Sequence, residues 1–155
     1  MPEKRELDGH DRALLRLLQV DAARTADDLA QEVPLSPSAI TRRVRRLHED
    51  GTIVADVAIV SDRVAPFLSA LVDVQLDRHA LAEVDAVLRR LCAAPEVQAL
   101  MEVTGPSDLA LLVVVADMHA FNAFADAMLG SDPVVRRYET RFVKKRRKFT
   151  TALPL

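Results

Sequence analysis

The run LALLVVVA, Leu109 to Ala116, is apolar at every position and restricts the fold of this chain more than any other segment. Successive side chains of a strand point to opposite faces, so Leu109, Leu111, Val113 and Val115 line one side, and Ala110, Leu112, Val114 and Ala116 the other. Both sides need an apolar cover. The flanking patterns supply half of it. FLSALVDVQL reads as a strand, LAEVDAVLRRLCAA as a helix, VQALMEVT as a strand, AFNAFADAML as a helix and VVRRYETRFV as a last strand. With the apolar strand in third place among four, this is the βαββαβ order of a ferredoxin-like α+β domain. Two helices cover one face of such a sheet and leave the other bare. A second copy of the same sheet is the simplest cover, which predicts a two-fold dimer with Leu112 and Val114 in its interface.

The first third of the chain has a different period. Asp8 followed by Asp11 reads as a helix cap with an acid in the first turn, ahead of Leu14, Leu15, Leu17 and Leu18, the stripe ending near Val20. Thr25 followed by Asp28 opens a second helix with Leu29, Ala30 and Val33 inward, stopped by Pro34. Ser36 caps a third helix and Pro37 takes its first position, where a missing N–H is harmless. At about 100° per residue, Ile40, Val44 and Leu47 share one arc, while Ser38, Arg42 and Arg45 point away and Thr41 and Arg46 flank them. Arg42, Arg43, Arg45 and Arg46 are expected to lack an acidic partner within the helix, the next acid being Glu49. Surface helices usually mix charge signs, so this pattern favours a nucleic-acid surface over an ordinary solvated face. The short Val33 to Ser36 connection suits a helix-turn-helix whose last helix enters the major groove. Asp50 and Gly51 then turn the chain into IVADVAIV, expected as a wing or hinge strand.

The order LDGHDRALLRLLQVDAAR, a short helix, then LSPSAITRRVRRLHEDGTI closely resembles the N-terminal half of the Lrp/AsnC (feast/famine) transcriptional regulators. VTGPSDLALLVVVADMHAF is similar to that family's strand, Gly-x-x-Asp loop and strand, and YETRFVKKRRK falls where its last strand does. The resemblance spans nearly the whole chain. It implies a winged helix-turn-helix at residues 1–53, a hinge at 54–66, a dimerising ligand-binding domain at 67–150 and a tail at 151–155. It also implies DNA contact through Ser36, Ser38, Thr41, Arg42, Arg43, Arg45 and Arg46. The partners expected are double-stranded DNA, an amino acid or related effector, and further copies of the chain assembling as dimers, tetramers or octamers.

The same resemblance implies effector binding at the Thr104, Gly105 and Asp108 loop, at the junction between dimers, with Met118 and Thr140 at matching positions. Read from the residues alone, the loop is equally a hairpin turn, Met118 a gap-filler and Thr140 an ordinary strand residue. Two positions depart from the family pattern. Ser107 stands where an aromatic residue is common, and Pro34 stands where a glycine usually makes the turn, with φ near −65° in place of a free choice.

Composition excludes several classes. No apolar run reaches about 18 residues, and the charged N-terminus lacks the pattern of a secretion signal, so the expectation is a cytoplasmic protein. The single cysteine, Cys92, lies in a helical pattern and is expected to pack. His10, His48, His79 and His119 are scattered, the four glycines form no phosphate loop, and no nucleophile sits beside a base. No metal, cofactor or enzyme activity is therefore expected. An enzymatic use of this architecture, as in the similar sirohaem decarboxylases, or a metabolite-binding protein without DNA binding, is the alternative, and the arginine helix argues against both. Charge is uneven: residues 1–62 hold 9 Lys/Arg against 12 Asp/Glu, 63–133 hold 4 against 10, and 134–155 hold 8 against 1. RFVKKRRK, Arg141 to Lys148, concentrates six of those cations at the end of the final strand. Edge protection and a grip on DNA are both consistent with it.

Overall fold

The structure, a computed structural model, describes residues 6–77 and 81–155. It divides into two compact units: one runs to Ile59 and includes Lys148–Leu155, the other is Val60–Arg147. His79 lies outside the described residues.

In the first unit the caps form as expected. Asp8 accepts from the Asp11 N–H at 2.8 Å and starts α1 (Gly9–Leu18). Thr25 and Asp28 make a reciprocal capping box at the start of α2 (Ala26–Ala30). Ser36 caps α3 (Pro37–Glu49), accepting from the Ala39 N–H. Leu14, Leu29, Val33 and Ile40 form the buried core of the three helices. α1 ends at Leu18, so Val20 falls past it and is exposed.

Pro34 does not disturb the turn between α2 and α3. The Leu35 N–H donates to the Val33 carbonyl at 2.7 Å, an inverse γ-turn with Pro34 at its centre. That turn wants φ near −75°, which proline supplies, so the positive φ open to glycine is not used.

The expected wing strand does not form. After Gly51, at φ +73°, residues 54–60 have no regular structure, and Val54, Val57, Ile59 and Val60 are exposed. A strand is defined by a ladder partner, and among the described residues nothing pairs with this segment.

The second unit follows the expected order: β1 (Leu68–Leu76), α4 (Leu81–Ala93), β2 (Val97–Glu102), β3 (Leu109–Val115), α5 (Met118–Ala125) and β4 (Val135–Phe142). The antiparallel sheet has strand order β2-β3-β1-β4. α5 continues into a π-turn, Asp126–Gly130, which buries Leu129. Ala70, Val72, Val74 and Leu76 of β1 and Leu109, Leu111, Val113 and Val115 of β3 are buried with Val87, Leu91, Phe121 and Phe124 of the helices. The opposite face carries the row Ala99, Leu112, Leu71 and Arg141 across all four strands. Leu112 and Val114 are only half-buried there. Cys92, expected to pack, is exposed. It comes directly after the buried Leu91 on α4, and one residue is a turn of about 100°, enough to leave the core face.

Candidate functional site

α3 carries the first candidate site. Ile40 and Leu47 are fully buried, which turns the Arg42 side of the helix to solvent. Val44 is half-buried, because it lines an open cavity of about 450 Å³ with Leu18, Leu29 and Ile40, rimmed by Thr41 and His48. Ser36 and Ser38 hydroxyls lie 3.2 Å apart at the exposed start of the helix, and the Thr41 hydroxyl donates to the Pro37 carbonyl at 3.0 Å.

The four arginines are not equivalent. Arg42 is exposed and has no acidic partner among the described residues. Arg45 lies 3.6 Å from Glu49, with both side chains about two-thirds exposed. The expectation that no arginine has an acidic partner within the helix fails here, since Glu49 sits one turn along at i+4. Such an exposed pair is worth little and yields readily to a better anion. Arg43 is held differently: its Nη1 donates to Asp8 and to Asp11, both at 2.7 Å. Asp11 is fully buried, and it also accepts from Arg46 Nη2 at 3.4 Å. Arg43 and Arg46 thus tie α3 to α1. Asp8 and Asp11 read from the sequence only as cap and first-turn acid, and the Asp11 separations from the two arginines, 32 and 35 residues, left no local trace.

Electrostatics reflect the geometry. The Asp8 carboxyl is pulled from an ordinary 3.8 to about 2, first by the Asp11 N–H and then by Arg43. The Arg43 pKa is raised by Asp8 and Asp11 in turn. Asp28 is lowered by the hydroxyl and N–H of Thr25 in the α2 capping box.

The second candidate site is the β2-β3 loop. Gly105 has φ +119°, a conformation that an L side chain rarely adopts. Asp108 closes the loop onto β1: its Oδ2 accepts from the Leu76 N–H at 2.7 Å and its own N–H donates to the Val74 carbonyl at 2.8 Å. Gln75 Nε2 donates to the Pro106 carbonyl at 2.9 Å. Thr104 is exposed at the loop's tip, and Ser107 is half-buried.

Met118 and Thr140 do not join that loop within one protomer. The loop leads into Leu109, which pairs with Val74, whereas Met118 lies just past the far end of β3, where Val115 pairs with Leu68. Seven residues of strand separate the two ends by about 23 Å. Thr140 pairs with Val72 between them, and its Oγ1 is buried with no hydrogen-bond partner. Among the described residues no group of three or more His, Cys, Asp or Glu could hold a metal ion, and no helix is long and apolar enough to cross a membrane.

Residues 7–48 match the family model of the AsnC-type helix-turn-helix domain, and residues 69–153 that of the Lrp/AsnC ligand binding domain. The chain is 35% identical over 151 residues to an HTH-type transcriptional regulator of Sinorhizobium fredii, covering 97% of this chain and 89% of the relative. It is 34% identical over 151 residues to the Bkd operon transcriptional regulator of Pseudomonas aeruginosa, covering 97% and 99%. Its fold is similar to that of a transcriptional regulator from Neisseria meningitidis in complex with L-methionine. The TM-score is 0.85 at 32% identity, covering 96% of this chain and 97% of the other.

Proposed function

Because the chain belongs to the Lrp/AsnC family of transcriptional regulators, we propose that α3 reads duplex DNA and that the second unit dimerises and senses a free amino acid. The observation that carries the DNA half is the division of labour on α3. Arg43 and Arg46 fasten the helix to Asp11, and this leaves Arg42, Arg45, Ser38 and Thr41 facing outward. Arginine suits phosphates and guanine edges, and short hydroxyls suit contacts at close range. Ser36 keeps the helix entry in shape, so its effect on DNA binding is indirect.

The amino-acid half rests on the β2-β3 loop and on relatives. The Neisseria regulator, similar to this chain over nearly its full length, was solved with L-methionine. Thr104, Gly105 and Asp108 present hydroxyl, backbone and carboxylate groups suited to an amino acid's two charged ends. Met118 and Thr140 sit elsewhere on the protomer, so a site that used all five residues would take them from more than one copy. The outer sheet face with Leu112 and Val114 supplies the first contact between copies, and dimers assemble further through other surfaces. In this reading the protein works in the cytoplasm and is a switch, without catalysis.

The test begins with duplexes selected by the wild-type protein from a random library. Arg42→Ala with Arg45→Ala should bind the selected duplex at least about 100-fold more weakly while unfolding at the wild-type urea midpoint, since a good base or phosphate contact contributes about 1–3 kcal/mol. Unchanged affinity would overturn the assignment of α3.

A further inference from the structure

We propose that the basic run Lys144–Lys148, which leads from the second unit into the moored C-terminal residues of the DNA-reading unit, is a phosphate-binding arm. The inference rests on the proposed DNA-binding function and adds a second contact surface to it.

Edge protection does not account for the run. Charges deter strand addition when they lie on the edge strand itself. β4 ends at Phe142, and its last tie to the sheet is the Val143 N–H to the Ser69 carbonyl at 2.8 Å. Arg141 lies on the strand and is paired with Asp73 at 2.6 Å. The other five cations come after it, exposed and outside any strand.

The segment beyond them is anchored. The Leu153 N–H donates to Gln19 Oε1 at 2.5 Å, and Gln19 Nε2 returns a bond to the Leu153 carbonyl at 3.2 Å. Arg16 of α1 donates to the Leu155 carbonyl at 3.5 Å. Lys148–Leu155 accordingly belongs to the compact unit that contains α3. Lys148 is five residues from Leu153, so chain length alone keeps it within about 18 Å of that anchor.

The DNA-reading unit also needs these charges. Residues 1–59 hold 9 Lys/Arg against 11 Asp/Glu, a net −2. Two of the four α3 arginines are engaged by Asp11. Affinity for duplex DNA grows with the number of phosphates neutralised. Lys144, Lys145, Arg147 and Lys148 have no carboxylate partner among the described residues. The run offers five cations beside that deficit, Lys148 within this unit and Lys144 to Arg147 in the residues that lead into it.

The experiment measures DNA affinity against salt for the full-length chain, on the selected duplex and on a duplex of mixed sequence about 30 base pairs long. Replacing Lys144, Lys145, Arg147 and Lys148 by Gln should lower the slope of log affinity against log salt by about 3–4, at about 0.9 per contact, on both duplexes. The ratio of the two affinities should stay at the wild-type value. Lys144→Gln with Arg147→Gln should lower the slope by about 2 and guards against a folding defect in the larger variant. Gln19→Ala keeps every cation and loosens the mooring, so its slope should fall between wild type and the fourfold variant. A fourfold variant with the wild-type slope overturns the arm, more so if light scattering shows a changed mass, which would assign the cations to contacts between copies. A Gln19→Ala slope equal to wild type overturns the mooring. A wild-type protein that binds neither duplex overturns the DNA-binding reading itself, and the arm with it.

Discussion

Arg42 and Arg43 are neighbours with opposite roles, because one residue of helix turns the side chain by about 100°. Arg42 points to solvent, while Arg43 reaches Asp8 and the buried Asp11. Arg43→Ala should therefore cost about 2–3 kcal/mol in urea unfolding near neutral pH, since it takes from the buried Asp11 carboxylate the shorter of its two arginine contacts, 2.7 Å against 3.4 Å. Arg42→Ala should cost less than about 0.5 kcal/mol. The sign of the pH dependence is set by Asp8, whose folded pKa is lowered to about 2. A depressed carboxylate stabilises the fold above its unfolded pKa, near 3.8, and that contribution is lost as pH falls through about 2. The gap between wild type and Arg43→Ala should thus narrow between about pH 4 and pH 2. A gap that stays constant there would show that Asp8 does not share in holding Arg43.

At the scale of elements, side chains and backbone settle different things. Proline in place of glycine between α2 and α3 is absorbed by an inverse γ-turn, so the arrangement of the two helices does not depend on a residue with positive φ. The run at 54–60 has the composition of a strand and no strand geometry, because no described segment offers it a ladder partner. β3 shows the same division across its width. Leu109, Leu111, Val113 and Val115 are sealed by α4 and α5, and Leu112 and Val114 wait on the other face. Leu112→Asp should leave the unit folded, because its core lies on the sealed face, and should reduce the mass in light scattering to that of a smaller assembly. An unchanged mass would mean that copies meet elsewhere.

At the scale of the whole molecule, the residues proposed to bind an effector raise a question of assembly. One protomer places the Thr104 to Asp108 loop and Met118 at opposite ends of the sheet, so a site that needs both is complete only between copies. Binding to the folded assembly alone raises its midpoint, by about 2.7 kcal/mol of stabilisation when the ligand is at about 100 times its Kd. A thermal screen of the common amino acids should find at least one that raises the midpoint of the wild type, and the same ligand should raise that of Leu112→Asp far less. Asp108→Ala is the weaker probe, since losing the bond to the Leu76 N–H destabilises the loop whether or not a ligand binds there. An equal rise in both proteins would place the ligand within one protomer.

Caps, helix faces and strand order were legible because they are local. Asp8, Thr25 and Ser36 act on N–H groups three residues ahead, and the periods of β3 and α3 repeat every two residues or about 3.6. The resemblance to the Lrp/AsnC regulators was legible for the same reason, being carried by those patterns. The contacts that stayed hidden join residues far apart in the chain. Asp11 meets Arg43 across 32 positions and Gln19 meets Leu153 across 134, and no periodicity links sites at such separations. Outside residues 54–60, the sequence by itself determined which elements form and which faces are apolar, through interactions confined to a few residues. Only the tertiary structure decided which arginines are spent on holding α3, that the last residues return to α1, and that Asp108 latches its loop, because each depends on which surfaces meet once the core has closed.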